Sequence, residues 1–379
     1  MNFGWSPELA ARYEELLAAV RAAFAGAARP PDGFYSRADW TCLGELGVLG
    51  LSVPAAFGGA ALGALPTARL IEAFGRGCPD TGLVFGASAH LFACAMPIAE
   101  FGTDPVRKHL LPGMCSGELI GGNAMTEEGA GSDVSALAVT ADEVPGGYRL
   151  NGTKSFVSNG PMSDVFVTYA TTDPRAGHLG VTGFVVCRDA AGLVVGEPFS
   201  KMGLSSCPAG IVRFEDCFVP DDQVLGFPGQ GGAIFQRSMG WERTCLFAGY
   251  LGLLDRVVEQ CVAHATARRQ FGHRIAEFQS VANRIVDIKL RTESARWLLY
   301  RACWEMDQGT PSALNVALAK LAVSEGAVAC ALDAIAVFGG RGYQRADGIE
   351  AVLRDTVPST IFSGTSDIQR TIAARELGL

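Results

Sequence analysis

A run near the first third of the chain gathers groups able to hold an anion. Asn123-Ala-Met-Thr-Glu-Glu-Gly-Ala-Gly-Ser-Asp133 is punctuated by Gly129 and Gly131 and carries hydroxyls at Thr126 and Ser132. Glycine lets a backbone approach a ligand closely, and the amides around it can receive anionic oxygens. Taken alone, such a loop is also an ordinary turn. Asn151-Gly-Thr-Lys-Ser-Phe-Val-Ser-Asn-Gly160 reads equally as a hairpin with two turn signals. Ala267-Arg-Arg-Gln-Phe-Gly272 closes a helix, where Arg268 and Arg269 would complement the C-terminal carbonyls. Phe338-Gly-Gly-Arg-Gly-Tyr343 ends another, with glycine as a C-cap. Arg354-Asp355 and Ile361-Phe-Ser-Gly-Thr-Ser-Asp-Ile-Gln-Arg370 follow. Gly240-Trp-Glu-Arg243 sets a carboxylate beside a guanidinium, and these residues alone leave open a structural ion pair or a base at Glu242.

The elements that position these groups are bounded by bulk properties. The 379 residues, 49% apolar, are enough for two or three packed domains. Charged residues are only 18%, and Ala and Gly abound, which fits either a large subunit interface or a compositional bias of the genome. The net charge of −8, with no basic stripe, argues against nucleic acid. No unbroken apolar run reaches the roughly 18 residues that span a bilayer, so no membrane is expected. Residues 1–26 read as an amphipathic helix with Glu8, Arg12 and Glu15 on its wet side rather than as a targeting signal, which predicts a cytoplasmic protein. Eleven cysteines without a C-x-x-C pair suggest reduced core residues. The five histidines are scattered, and the spacing of His264 and His273 matches no metal-ligand pattern, so no metal is expected.

Along the chain, residues 66–77 and 81–101 have helical spacing, and Pro105 and Pro112 punctuate the end of that region. From about Leu119 to Leu225 the pattern becomes strand-like, with β-branched and aromatic runs at 148–152, 165–169, 182–186 and 211–214, which argues for a small barrel or sandwich. Helical periodicity then returns. In 281–302 one face carries Val281, Ile285, Ile288, Thr292, Ala295, Leu299 and Ala302; in 314–338 the expected face is Leu314, Ala317, Leu321, Val328, Ala331, Ile335 and Phe338.

Each motif is ambiguous singly, but six occur in order. T-E-x-G-A-G-S-D is met at 126–133, N-G-x-K-x-(W/F)-(I/V)-(T/S)-N-G at 151–160, F-x-x-(V/C)-x-V-P at 214–220, R-x-x-F-G at 268–272, G-G-x-G-Y at 339–343 and G-T-S-x-I-Q-R at 364–370. In this the chain resembles the acyl-CoA dehydrogenase family along nearly its whole length. The resemblance implies an α+β, mostly α fold: an N-terminal helical domain (1–117), a middle β-barrel-like domain (118–225) and a C-terminal four-helix bundle (226–379). It implies FAD. Met125, Thr126 and Ser132 would line the flavin and its ribityl–pyrophosphate arm, with Ser132 also near substrate. Phe156 would stack near the isoalloxazine, where many relatives carry Trp, and Ser158 would bond the N5 edge, where many carry Thr. Arg268 and Phe271 would reach the cofactor of a neighbouring subunit, and Gly339, Gly340, Thr365 and Asp367 would cradle the ADP part. Ala336, where relatives often have Gln, removes one expected cofactor contact. Family members are commonly homotetramers or homodimers.

The family reaction removes the α-proton of an acyl thioester and passes the β-hydrogen to the flavin. Most relatives place the catalytic Glu immediately before G-T-S, but this chain has Ser363, and an isolated hydroxyl does not replace a carboxylate as base. Isovaleryl- and long-chain-type relatives place it directly before the Arg of an earlier helix, and Glu242, before Arg243, fits that slot. On this reading Ser363 contributes its backbone amide to the thioester carbonyl, its side chain is nearly dispensable, and Arg243 lies against substrate. Relatives acting on CoA esters often have Asp where this chain has Gly240. The relocated Glu and the Phe-Ser-Gly-Thr-Ser ending look similar to natural-product dehydrogenases that oxidise carrier-protein thioesters, including prolyl thioesters. The expected substrate is therefore a carrier-protein thioester, with a short or branched acyl-CoA as the alternative. Electrons would leave to an electron-transfer flavoprotein or to oxygen. A flavin oxidase or monooxygenase on the same fold, and a non-catalytic binding subunit, are the readings from other classes.

Overall fold

A computed structural model describes residues 4–26 and 33–379; the first three residues of the expected N-terminal helix lie outside this set. The first region is helical: α1 (Pro7–Ala23), α2 (Arg37–Glu45), α3 (Ala64–Gly77), α4 (Thr81–His90), α5 (Met96–Phe101) and α6 (Asp104–Ser116). Local chemistry fixes the starts. Ser6 caps α1, Ser36 and Asp39 form a reciprocal capping box on α2, and the Asp80 carboxylate accepts the amides of Gly82 and Leu83 at the head of α4. A single π turn, Leu91–Ala95, joins α4 to α5.

The middle region is one eight-stranded sheet: β1 (Gly121–Ala124), β2 (Thr140–Val144), β3 (Gly147–Ser158), β4 (Val165–Thr171), β5 (Val181–Cys187), β6 (Leu193–Pro198), β7 (Ala209–Pro220) and β8 (Val224–Leu225). Its order is β6-β7-β3-β2-β4-β5-β8, with β1 parallel to β4. The runs expected at 148–152, 165–169, 182–186 and 211–214 all fall on strands. Sequence gave no sign of β1: Gly-Gly-Asn-Ala has no strand-forming side chain, and its state is imposed by pairing with Val165–Thr168. Every residue of β4 from Val165 to Ala170 is buried. Val165, Val167 and Tyr169 face the helical core, while Phe166 and Ala170 enter a separate core inside the sheet. The sheet is thus bound to the helices through alternate residues of a strand that has no solvent face.

The last region holds α7 (Gly231–Trp241), α8 (Ala248–Ala267), the two-residue strands β9 (Arg269–Gln270) and β10 (His273–Arg274), then α9 (Gln279–Asp307), α10 (Ala313–Phe338), α11 (Ile349–Thr356) and α12 (Ser366–Glu376). A second π turn, Glu242–Leu246, joins α7 to α8 and packs against the first. The buried stripe of α9 includes Ile288, Thr292, Ala295, Leu299 and Ala302 as expected. That of α10 overlaps the expected face only in part: Ala317 and Ala331 are buried as expected, but Val316, Lys320, Val323, Ala327, Cys330 and Ala334 are buried as well, whereas Leu314, Leu321, Val328, Ile335 and Phe338 are only half-buried. A helix with apolar residues on most of its circumference gives only a weak period by which to choose its inner face. Two helical stretches, Thr81–Phe101 and Ala313–Tyr343, are also long and apolar enough to cross a membrane by composition, though no uninterrupted apolar run suggested it. The first is 89% buried as core; the second is 39% buried and shows an apolar surface.

Candidate active site

Glu242 begins the second π turn, where an extra backbone residue per turn re-aims its side chain inward. The carboxylate is 6% exposed. Its Oε2 accepts a hydrogen bond from Ser363 Oγ at 2.6 Å, and its Oε1 is buried without a partner. Burial pushes its pKa up to about 7, against the lowering effects of the Ser363 hydroxyl, the Arg243 charge and nearby Ser238. Ser238 Oγ itself donates to Phe92 O at 3.1 Å and makes no hydrogen bond to Oε1. Aromatic residues adjoin both partners in the chain. The Trp241 ring stacks on Phe92 at 6.1 Å and its Nε1 donates to Glu100 Oε1; Phe362, beside Ser363, packs on Phe85 and Phe247. A buried carboxylate with one unpartnered oxygen and a pKa raised to about 7 meets the chemical requirements for accepting a proton near neutral pH.

The loop bearing Thr126 and the strand bearing Phe156 are joined by a buried ion pair. Lys154 Nζ donates to Glu127 Oε1 at 2.7 Å and to Met125 O at 3.0 Å. The same carboxylate accepts the amides of Ala138 and Val139, and Ser155 N donates to Thr126 O. Burial lowers the Lys154 pKa to about 8. The register slips between Lys154 and Val157, a bulge that leaves Phe156 at φ +56° and 63% exposed. Met125 is buried, Thr126 and Ser158 are half-buried, and Ser132 is exposed. Nothing lies within 4 Å of where a Cβ would sit on Gly129 or Gly131. Together these form an open shelf of hydroxyls, glycine backbone and one outward aromatic ring, and that donor set fits a flavin and its ribityl–phosphate arm.

The remaining expected residues divide into two places. Thr365 caps α12 two residues beyond Ser363, so Thr365 and exposed Asp367 belong to the Glu242 end. Arg268 caps the far end of α8, whose 20 residues alone span roughly 30 Å beyond the Glu242 turn. Phe271 follows at φ +53° and 91% exposed. Gly339 and Gly340 lie at that same far end, because His264 of α8 stacks on Phe338 of α10 at 4.2 Å. One chain therefore does not bring Gly339 and Gly340 to Thr365 and Asp367. Arg243 donates from Nε to Ser363 O at 2.9 Å, which turns it toward the loop backbone.

Sequence reasoning missed three features. The Glu127–Lys154 pair lay inside the motifs, signalled only by a lysine on a strand. The Ser363 side chain was set aside in favour of its amide. Lys320, fully buried with Nζ unpartnered over the Phe247 ring at 5.4 Å, had no signal within an apolar helix.

Three family models cover the chain: the acyl-CoA dehydrogenase N-terminal domain over residues 8–118, the middle domain over 122–217 and the C-terminal domain over 229–378. The L-prolyl-[peptidyl-carrier protein] dehydrogenase of Pseudomonas fluorescens is 57% identical over 347 residues, 91% of each chain. A solved FAD complex of PigA superposes with a TM-score of 0.97 at 44% identity over the full length of both chains. The prolyl acyl carrier protein oxidase AnaB superposes with a TM-score of 0.96 at 37% identity, over 99% of this chain and all of that one. With all three domains matched along nearly its whole length and a relative 57% identical over 91% of the chain, this chain belongs to the acyl-CoA dehydrogenase family.

Proposed function

We propose that the protein is an FAD-dependent dehydrogenase of an acyl thioester held on a carrier protein, in a natural-product pathway, and that Glu242 removes the α-proton. The observation that carries the base assignment is the free, buried Oε1 of a carboxylate whose pKa lies at about 7. A prolyl thioester is the favoured acyl group, because the Pseudomonas enzyme and AnaB are described as acting on a prolyl carrier protein and PigA is solved with FAD and proline.

When bound, FAD supplies the acceptor for the hydrogen that leaves the β-carbon. The chain's own residues do the rest. Met125, Thr126, Ser132 and Ser158 offer backbone and hydroxyl contacts along the shelf, and Phe156 presents a ring face. The enclosure around Glu242 excludes water, which keeps the carboxylate basic and strengthens any hydrogen bond to the thioester carbonyl. Arg243 and Gln369 hold the Ser363 carbonyl, so the backbone amide of the same loop is fixed for that carbonyl.

Assembly as a homotetramer or homodimer completes the site on this reading. Arg268, Phe271, Gly339 and Gly340 lie at the end of α8 far from Glu242 in one chain, yet belong to the same set of cofactor motifs. The half-exposed apolar α10 and the outward Phe271 support a second copy as their partner. Eleven free thiols support a reducing, cytoplasmic setting. The electron acceptor is an electron-transfer flavoprotein or oxygen; likeness to a relative described as an oxidase favours keeping oxygen as the second reading.

The test is anaerobic mixing of the flavinated protein with an L-prolyl thioester on its carrier protein, and separately with short and branched acyl-CoAs. Bleaching of the flavin by the carrier-bound thioester alone supports the proposal. Bleaching by acyl-CoA alone overturns the carrier assignment, and bleaching by neither overturns the dehydrogenase reading.

A further inference from the structure

Ser363 occupies a position fixed from several sides. Its φ is +53° and that of Gly364 is +86°, both in the left-handed region that an L side chain rarely adopts. Its carbonyl receives Arg243 Nε at 2.9 Å and Gln369 Nε2 at 3.4 Å. A Cβ on Gly364 would come within 2.8 Å of Gln369 Nε2, and at φ +86° any side chain there would be strained. On the other side Phe362 is held by Phe85 at 4.7 Å, Phe247 at 5.4 Å and Tyr250 at 6.4 Å. Strain of this kind persists only where the surroundings over-determine it, and here it aims one hydroxyl at one carboxylate oxygen.

We infer that the Ser363 hydroxyl is a positioning residue for the base: it clamps Glu242 Oε2 and thereby assigns Oε1 as the oxygen that takes the α-proton. This rests on the reading of Glu242 as base. The two oxygens of a free carboxylate are equivalent and rotate about the terminal bond, which has a broad torsional well. Glu242 is not in that state, because Oε2 is engaged at 2.6 Å and Oε1 is not engaged at all. The proton leaves the α-carbon for Oε1, and its bonding pair stays with the substrate.

The hydroxyl also sets when the base is available. A donor to the ionised carboxylate favours the charged form and opposes the burial that raises its pKa. The other groups facing Glu242 are Arg243 beside it, Ser238 of α7, Cys94 of the first π turn and Tyr169 of β4, with Lys320 of α10 behind Arg243. Cys94 and Tyr169 are held neutral by burial, and neither makes a hydrogen bond to Oε1. Ser363 is thus the neutral donor whose removal changes the carboxylate most directly.

The experiment compares the parent flavoenzyme with Ser363→Gly and Ser363→Ala. Glycine keeps the left-handed backbone without strain and removes the hydroxyl; alanine removes the hydroxyl and keeps the Cβ. Two readouts are followed against pH: anaerobic flavin reduction by the L-prolyl carrier-protein thioester, and the infrared carboxylic C=O band of Glu242, identified by its loss in Glu242→Gln. The parent midpoint is expected near 7 in both. Loss of the donor is expected to raise it by about one unit in both variants, leaving the base about fivefold less ionised at pH 7. A midpoint unmoved in both variants overturns the inference, and so does a shift in alanine alone, which would report backbone strain rather than the hydroxyl. If instead Glu242→Gln reduced its flavin normally, the base assignment would fail while the infrared shift still decided whether Ser363 controls the carboxylate.

Discussion

Lys154 Nζ and Glu127 Oε1 meet at 2.7 Å with both side chains almost wholly out of solvent. Neither group is aimed at a site: the ammonium also holds Met125 O, and the carboxylate also holds two backbone amides. Their role is to lock the hydroxyl-bearing loop onto the strand that carries Phe156 and Ser158. Lys154→Met should leave a buried carboxylate without its counter-charge and cost about 3–5 kcal/mol. Thermal denaturation would show this, and FAD content should fall at temperatures where the subunit is still folded. A variant equally stable and fully flavinated would contradict the account.

Glu242→Gln preserves volume and removes the proton acceptor. Flavin reduction by the true thioester should slow by at least roughly 10²-fold, measured by stopped-flow absorbance with FAD content unchanged. Normal reduction would move the base elsewhere, the substrate's own amine nitrogen being the first place to look. Because Ser363 Oγ touches the Glu242 carboxylate, a Glu at 363 reaches the same region. Ser363→Glu in the Glu242→Gln background should recover part of the lost rate.

The same residue should make stability depend on pH. An unfolded Glu titrates at about 4.3, whereas Glu242 in the fold titrates at about 7. Between these values the folded state holds the extra proton, so this group's contribution favours folding at low pH and is lost as pH rises through 7. Glu242→Gln should therefore be more stable than the parent at pH 8, by on the order of 3–4 kcal/mol, and nearly equal to it near pH 4. Melting temperatures of both proteins at the two pH values check this. Equal curves at both would show that the carboxylate is not desolvated as described.

Cofactor retention should depend on assembly. Arg268→Ala, at an exposed helix end, should lower FAD content without unfolding the subunit. Flavin released by denaturation should be FAD, non-covalently bound at one per subunit in the parent. A monomer in solution carrying a full complement of FAD would contradict the reading of Arg268.

Most of the architecture was legible because periodicity is a local property. Helices at 66–77 and 81–101, the strands of the middle region and the face of α9 all follow from spacing of apolar residues along one segment. The cofactor motifs were legible as ordered types. What stayed hidden depends on residues distant in sequence. Strand β1 exists because β4 lies beside it, and the inner face of α10 is chosen by its neighbours and not by its own mostly apolar surface. The sequence could mark Glu242 as a candidate base, since that requires only a carboxylate before an arginine. That Glu242 has one clamped oxygen and one free oxygen was decided by the tertiary structure alone. A left-handed residue 121 positions away delivers the hydroxyl, and burial within the fold withholds water from the other oxygen. Hydrogen bonding and desolvation act through space, so no spacing along the chain encodes them.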